Sequence, residues 1–322
     1  MKPRLVWLLL CLIWGSTWLF IKLGLEDLPP LTFAGIRFLI AATILVSLIA
    51  LRRRPFPKNR SDWRLLAVTG VLAFSLNYGL LFWGEQYISS GLAALLQATI
   101  PAFGMVIAHF YLPQERITWA RMTGVLLGVV GVGVIFSNQL ATSGNMALAG
   151  SAALVLSSIF VALSNVLVKA RGKNLDPSII AAGQMTCGLI PLLLIGIPLE
   201  GNPLNFRWTT LAVVSLFYLA IVGSVVAFIL YYWLLRNMEV TKTMLIALVT
   251  PIVAVTLGMI VLSEELDWRT FAGGLMIIAG IGLVTRGRRE QWPQMNADKA
   301  LREDTDQKKE NPPITQITQI KK

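Results

Sequence analysis

Ten apolar segments, each about 18 to 25 residues long, dominate the chain and are separated by short polar stretches. A helix of about 20 apolar residues crosses the ~30 Å hydrocarbon core of a bilayer, so each segment is long enough to span a membrane. Strand-length runs of alternating polar and apolar residues are missing, which excludes an outer-membrane barrel. The sequence therefore predicts an all-α membrane protein with ten transmembrane helices. The predicted spans are 5–25, 31–51, 65–84, 91–112, 119–138, 148–168, 178–199, 210–235, 242–262 and 269–285.

Basic residues are distributed unevenly between the two sides of these spans. Eighteen lysines and arginines fall in the loops of one side and six more in the C-terminal tail, whereas the other side holds only Lys22, Arg207 and Arg269. Because cytoplasmic loops carry the excess of basic residues, both termini are predicted to be cytoplasmic. The net charge of +11 is then a topology signal, and no nucleic-acid partner is expected. The expected environment is the cell inner membrane, with the lipid bilayer and a small-molecule substrate as partners.

The two halves of the chain repeat one another. Residues recur at offsets close to 150, with Trp83, Pro101 and Glu115 returning as Trp233, Pro251 and Glu265, and Lys22 returning as Lys169. One five-helix repeat is predicted to cover 1–140 and the other 146–286, followed by a disordered cytoplasmic tail over 287–322. Because five is odd, the second repeat enters the membrane inverted. Inverted repeats are typical of secondary transporters, in which two equivalent halves exchange conformations.

The arrangement resembles a known family of transporters. The residues that carry the resemblance are Trp14-Gly15-Ser16-Thr17-Trp18 in the first span, Arg37 in the second, and the Pro…Glu…Gly-rich hairpins formed by the fourth and fifth and by the ninth and tenth spans. They are similar to the EamA family of the drug/metabolite transporter superfamily, over about residues 1–286. The resemblance implies a ten-helix permease. It leaves the substrate open, because members export amino acids, other metabolites and drugs.

Polar and aromatic side chains near the middle of the spans are the candidates for a substrate cavity. Such groups are costly in lipid and are expected to face the interior of the bundle. The alternative for each polar group is a hydrogen bond between helices, and for the Trp14 indole a backbone carbonyl. The predicted cavity residues are Trp14, Trp18, Asn77, Tyr78, Gln97, Ser164, Asn165, Ser224 and Tyr231.

Arg37 is the one formally charged residue well inside a predicted span. Its guanidinium needs a carboxylate, carbonyls or water there. It either attracts an anionic substrate group or holds its helix through backbone carbonyls, and the structural role is slightly favoured. Lys22 lies close enough to the outer surface for its ammonium to reach the headgroups.

Prolines and glycines mark the two hairpins. Pro101 and Pro251 each remove a backbone hydrogen bond and are predicted to bend or gate their helices. The fifth and tenth spans carry glycine faces, including Gly124, Gly131 and Gly273, which predict close helix packing. Such faces also permit a homodimer.

Titratable groups are scarce inside the predicted spans. The nearest carboxylates, Glu85 and Glu239, lie at span ends, and His109 is expected at the membrane interface. P-loop, GxSxG and HExxH motifs are absent from the sequence, so neither an enzyme nor a cofactor or metal is expected.

The predicted function is a permease that works by alternating access and exports amino acids or related small solutes. Efflux of hydrophobic drugs or dyes through the same cavity is the alternative. A membrane-embedded enzyme or a non-transporting scaffold is a third hypothesis, which would need titratable residues clustered at one depth. Export versus import and facilitated diffusion versus proton coupling are left open by the sequence.

Overall fold

The computed structural model describes residues 2–88, 90–113, 115, 117–135, 145–262 and 268–286. Helices joined by short connections account for this part of the chain, which contains no strand. The predicted tail over 287–322 and Glu265 lie outside the described residues. The helices are α1 (Pro3–Leu25), α2 (Pro30–Leu51), α3 (Arg60–Glu85), α4 (Ser90–Gln97), α5 (Ile100–Tyr111), α6 (Trp119–Ile135), α7 (Asn145–Arg171), α8 (Pro177–Glu200), α9 (Thr210–Asn237), α10 (Val240–Met244), α11 (Ile246–Leu262) and α12 (Trp268–Arg286).

The prediction of a helical, multi-pass membrane protein is confirmed. Six of these helices, α1, α2, α3, α7, α8 and α9, are long and apolar enough to cross a membrane. Shorter apolar helical stretches lie at Ile100–Tyr111, Trp119–Gly131, Val240–Ala254 and Ala272–Val284.

The predicted single spans 91–112 and 242–262 are each broken into two helices, which corrects the sequence prediction. The first break separates Gln97 from Ile100, immediately before Pro101, whose ring and missing N–H oppose an uninterrupted helix. The second separates Met244 from Ile246, while Pro251 lies inside α11. A broken helix therefore occupies the same place in both halves.

Among the described residues, α2 and α8 form the most extensive helix pair, and they run antiparallel. At one end, the Glu200 carboxylate accepts hydrogen bonds from the backbone N–H groups of Leu31 (2.8 Å) and Thr32 (2.7 Å). These N–H groups lie in the first turn of α2 and have no partner within the helix. At the other end, Arg54 forms an ion pair with Asp176, and Asp176 also caps α8. This pair therefore joins helices that are equivalent in the sequence repeat.

α3 and α9 each contain one π-helical turn, at Val71–Leu76 and Ile221–Val226. The two turns are 150 residues apart, the offset of the sequence repeat. A π-helical turn displaces backbone carbonyls from the regular ladder, and such turns are frequent at functional sites.

α6 and α12 approach each other through glycines. A Cβ atom on Gly124 would lie 2.6 Å from the Gly280 carbonyl oxygen, and one on Gly131 would lie 2.7 Å from that of Gly273. No larger residue fits at these distances, so the predicted role of these glycines in close helix packing is confirmed.

Candidate functional site

A cavity lies between α1, α2, α3, α4 and α5 of the first half and α7, α9, α10 and α11 of the second. The space between its side chains, including its open mouth, is about 860 Å³. Eight of the residues singled out in the sequence line it, namely Trp14, Trp18, Arg37, Asn77, Tyr78, Gln97, Asn165 and Tyr231.

The two predicted serines lie outside the cavity wall, in contacts between and within helices. Ser164 donates to the Thr69 carbonyl (3.0 Å), and Ser224 donates to the Leu219 carbonyl (2.8 Å) within the π-helical turn of α9. Pro101 and Pro251 are also absent from the wall. These four predicted site residues therefore do not line the cavity.

The wall is assembled from equivalent positions of the two halves. Six pairs of lining residues are related by the repeat offsets of 147 or 150: Trp14 and Val161, Trp18 and Asn165, Tyr78 and Phe228, Leu81 and Tyr231, Gln97 and Ala247, and Ile100 and Thr250. Both halves therefore contribute equivalent positions to the cavity, but the side chains of most pairs differ in size and polarity. The repeat offset was the signal that could have added Phe228, the counterpart of Tyr78, to the predicted site.

Trp14 is both a lining residue and a helix-packing residue. Its indole Nε1 donates to the Gly223 carbonyl at 3.3 Å, in the π-helical turn of α9. Its ring contacts Phe228 and Tyr231, with centroids 5.4 and 5.0 Å away. Trp14 thus fits both interpretations of the sequence, since it lines the cavity and also donates to a backbone carbonyl.

Arg37 reaches the same π-helical turn from α2. Its Nε donates to Ser224 Oγ (2.9 Å) and its Nη2 to the Gly223 carbonyl (3.3 Å). The guanidinium also lies 5.1 Å from the ring centroids of both Phe38 and Tyr78. Arg37 therefore ties α2 to α9, as the structural interpretation predicts, while it lines the cavity.

The repeat counterpart of Arg37 is Gln184, which lies away from the cavity wall. Its Nε2 donates to Thr69 Oγ1 at 2.5 Å, and its Oε1 accepts a hydrogen bond from the Tyr232 hydroxyl. The second half thus replaces a buried cation with a neutral, hydrogen-bonded amide.

A cluster of charged residues joins the connection between α5 and α6 to the start of α10. The Glu115 carboxylate accepts from the backbone N–H groups of Val240 (2.7 Å) and Thr241 (3.1 Å) and from the Thr241 hydroxyl (3.0 Å). Glu239 forms ion pairs with Arg121 and with Lys242, the second at 3.5 Å. We call Glu115, Arg121, Glu239 and Lys242 the latch. Glu115 follows α5, and the structure shows that the helix it caps belongs to the other half.

The titratable candidates at the edge of the bundle do not line the cavity. His109 is exposed beside Phe110 at the end of α5. Glu85 is fully buried, and neither carboxylate oxygen has a hydrogen-bond partner among the described residues. Lys22 does not extend toward the headgroups as predicted, because its Nζ donates to the carbonyls of Glu85 (3.2 Å) and Ile88 (3.4 Å).

Comparison with known proteins identifies the family. The sequence model of the EamA-like transporter family matches residues 2–137 and, a second time, residues 148–286. The chain belongs to the EamA-like transporter family. Family relatives include the uncharacterized transporter YoaV of Bacillus subtilis, 28% identical over 85% of this chain and 93% of its own length. An uncharacterized transporter of Archaeoglobus fulgidus is 29% identical, with 89% and 100% covered. The uncharacterized inner membrane transporter YedA of Escherichia coli is 28% identical, with 87% and 89% covered.

One solved crystal structure has the same fold as this EamA-like chain. The two superpose with a TM-score of 0.74, covering 88% of this chain and 98% of the other, at 16% sequence identity. At that identity the similarity concerns the fold alone.

Proposed function

We propose that this chain is a secondary transporter that exports amino acids or related small solutes across the inner membrane by alternating access. The observation that carries the proposal is the cavity whose wall uses equivalent positions of both halves. When two inverted halves exchange conformations, a site shared in this way becomes open to the opposite side of the membrane.

The proposal includes ten spans in two inverted repeats, 1–140 and 146–286, with both termini in the cytoplasm. The antiparallel pairing of α2 with α8 supports it, as do the π-helical turns at the repeat offset and the family model that matches the chain twice. The name of the Escherichia coli relative supports the inner membrane as the location.

In the proposed orientation the latch lies at the cytoplasmic end of the bundle and closes the cavity on that side. The latch has no charged counterpart at three of its four positions. Glu239, Arg121 and Lys242 correspond by the repeat offsets to Ser89, Thr270 and Leu92. The two gates of the transporter are therefore chemically different, and charge reinforces the inner one.

The lining suits a small polar or zwitterionic solute with an organic side chain. Asn77, Gln97 and Asn165 provide neutral hydrogen-bonding groups, and Arg37 provides one positive charge. The aromatic surface of Trp14, Phe228 and Tyr231 favours the second candidate function, efflux of hydrophobic drugs or dyes.

The test is counterflow of labelled neutral amino acids into liposomes that contain the purified protein, with and without a pH gradient. Trp14→Ala and Asn77→Ala should abolish counterflow while the protein stays folded. The matched controls Trp63→Ala and Asn237→Ala alter exposed residues outside the cavity and should transport normally.

Each outcome decides between the functions. Normal transport by both cavity variants would show that the cavity is not the pathway. No counterflow across the amino-acid panel, together with protection of cells against toxic dyes, would favour the drug-efflux function. Uptake that follows the pH gradient would indicate proton coupling and direct attention to Glu85.

A further inference from the structure

Arg37 carries a positive charge that no described residue neutralises. The residue is 1% exposed, and no carboxylate oxygen of the described residues lies within ion-pair distance of its guanidinium. A buried cation without a counter-charge is costly, and contacts with aromatic rings offset only part of that cost. The cavity is therefore short of one negative charge.

The guanidinium of Arg37 has one nitrogen without a hydrogen-bond partner among the described residues. Nε and Nη2 are held by Ser224 and Gly223, whereas Nη1 is buried without a hydrogen-bond partner among the described residues. The Tyr78 ring centroid lies 5.1 Å from the same guanidinium. A planar guanidinium with an unused N–H edge is the side chain best suited to a carboxylate.

Asn77, on α3 beside Tyr78, supplies an unused acceptor on the same wall. Its Nδ2 donates to the Ala73 carbonyl at 3.2 Å, which assigns the other amide atom as Oδ1. That oxygen is buried and has no donor among the described residues. Buried acceptors are rarely left without a partner, so a donor from a bound molecule is expected here.

We propose that Arg37 binds the carboxylate of the transported solute and that Asn77 Oδ1 accepts a hydrogen bond from the amino group of the same molecule. The substrate class is then a zwitterion whose apolar or aromatic side chain lies against Trp14 and Tyr231. The inference rests on the proposed function and identifies the two groups that recognise the solute.

Three related probes separate the two contacts. L-Phenylalanine carries both charged groups, phenylalaninamide lacks the carboxylate, and 3-phenylpropionate lacks the amino group. Binding of labelled forms of each to the purified protein is measured by equilibrium dialysis. The wild-type protein should bind phenylalanine roughly tenfold more tightly than either analogue, because each analogue loses one hydrogen bond to a buried group.

The variants should remove one preference each. Arg37→Gln should bind phenylalanine and phenylalaninamide equally and still discriminate against 3-phenylpropionate. Asn77→Leu should show the reverse pattern, binding phenylalanine and 3-phenylpropionate equally. Arg37→Lys retains the charge without the planar N–H edge and should keep part of the carboxylate preference. These crossed patterns do not arise from a general loss of stability.

Equal binding of phenylalanine and phenylalaninamide to the wild-type protein would overturn the inference, and so would binding of none of the three probes. If chloride displaces labelled phenylalanine as effectively as 3-phenylpropionate does, Arg37 serves an inorganic anion. In that case the inference is also wrong. The measurements on the wild-type protein test the inference even if the Arg37 variants fail to fold. Counterflow of solutes without any carboxylate preference would contradict this assignment alone, whereas absence of counterflow for every solute would contradict the proposed function.

Discussion

Lys22 and Lys169 occupy equivalent positions near the ends of α1 and α7, and each caps the end of the third helix of its own half. Lys22 Nζ donates to the carbonyls of Glu85 (3.2 Å) and Ile88 (3.4 Å). Lys169 Nζ donates to the carbonyls of Leu235 (2.5 Å) and Met238 (2.6 Å). The acceptors are again 150 residues apart, so the duplication has preserved a contact between a lysine and two backbone carbonyls.

The side chains around the two lysines have diverged. Lys22 lies near the buried Glu85 carboxylate and acts on it electrostatically, whereas the equivalent position beside Lys169 is Leu235. In both halves the ammonium satisfies carbonyls that the end of a helix leaves open. In the first half alone a buried acid also lies near it. The comparison shows that backbone contacts define the shared architecture, while buried charges make the two ends of the molecule different.

The largest expected effect concerns Lys22. Lys22→Met removes the contacts with both carbonyls and the positive charge near the buried Glu85 side chain, and should lower the free energy of unfolding by about 3–4 kcal/mol. Lys169→Met removes only the carbonyl contacts and should cost about 2–3 kcal/mol. Both are measured by denaturant titration in mixed micelles.

Glu85→Gln provides the matched control for this difference. Added to Lys22→Met, it should recover the excess loss, because no buried acid is left. Added to Lys169→Met, it should recover nothing. Equal losses for the two lysine variants, or no recovery with Glu85→Gln, would show that Glu85 is independent of Lys22.

A smaller effect is expected at the latch. Glu115→Gln removes the negative charge that stabilises the N-terminus of α10 and should weaken the latch by about 1–2 kcal/mol. In a background without Cys11 and Cys187, Thr243→Cys should then react roughly 5–30 times faster with a membrane-impermeant maleimide from the cytoplasmic face. Asp176→Asn, another carboxylate variant at a helix start, is the control and should leave the rate unchanged. An unaltered rate in Glu115→Gln would mean that the latch does not close the cavity.

The smallest effect concerns the contact between the end of α2 and the start of α8. Burial raises the pKa of Asp176, but hydrogen bonds from Ser178 and the charges of Arg54 and Arg236 outweigh it, so this pKa lies below its usual value. The resulting stability is present at pH values above the unfolded pKa of about 3.9 and is lost as the pH falls through the folded pKa. Asp176→Asn should cost less than about 1 kcal/mol at neutral pH, because the pair with Arg54 is partly exposed. The cost should vanish in acid, as measured by unfolding at several pH values, and a cost that persists below that range would contradict the charge-based explanation.

Much of the architecture could be predicted from the sequence because apolar length and the repeat offset are local or periodic signals. The same offset relates Trp14 to Val161 and Tyr78 to Phe228 in the cavity wall. The π-helical turns could not be predicted, since one displaced carbonyl leaves the apolar pattern unchanged. They explain why Ser224 holds Arg37 and does not line the cavity.

Contacts between segments that are distant along the chain could not be predicted from the sequence either. Glu85 was placed correctly at the end of a span, but its burial depends on the close approach of α7, where a Cβ on Gly84 would lie 2.8 Å from the Gly150 carbonyl oxygen. The helix capped by Glu115 lies more than a hundred residues away along the chain. Such pairs follow from how the two halves pack, and hydropathy does not encode them.

The central claim, that one cavity shared by two inverted halves opens to each side in turn, is tested most directly by labelling equivalent wall positions from both faces. Ile100→Cys and Thr250→Cys, each in the background without Cys11 and Cys187, are treated with a membrane-impermeant maleimide in right-side-out and inside-out vesicles, with and without a transported amino acid. Alternating access predicts that both cysteines react from both faces. It also predicts that any condition that slows labelling from one face accelerates it from the other. Labelling from one face only, or rates that rise and fall together on both faces, would contradict it.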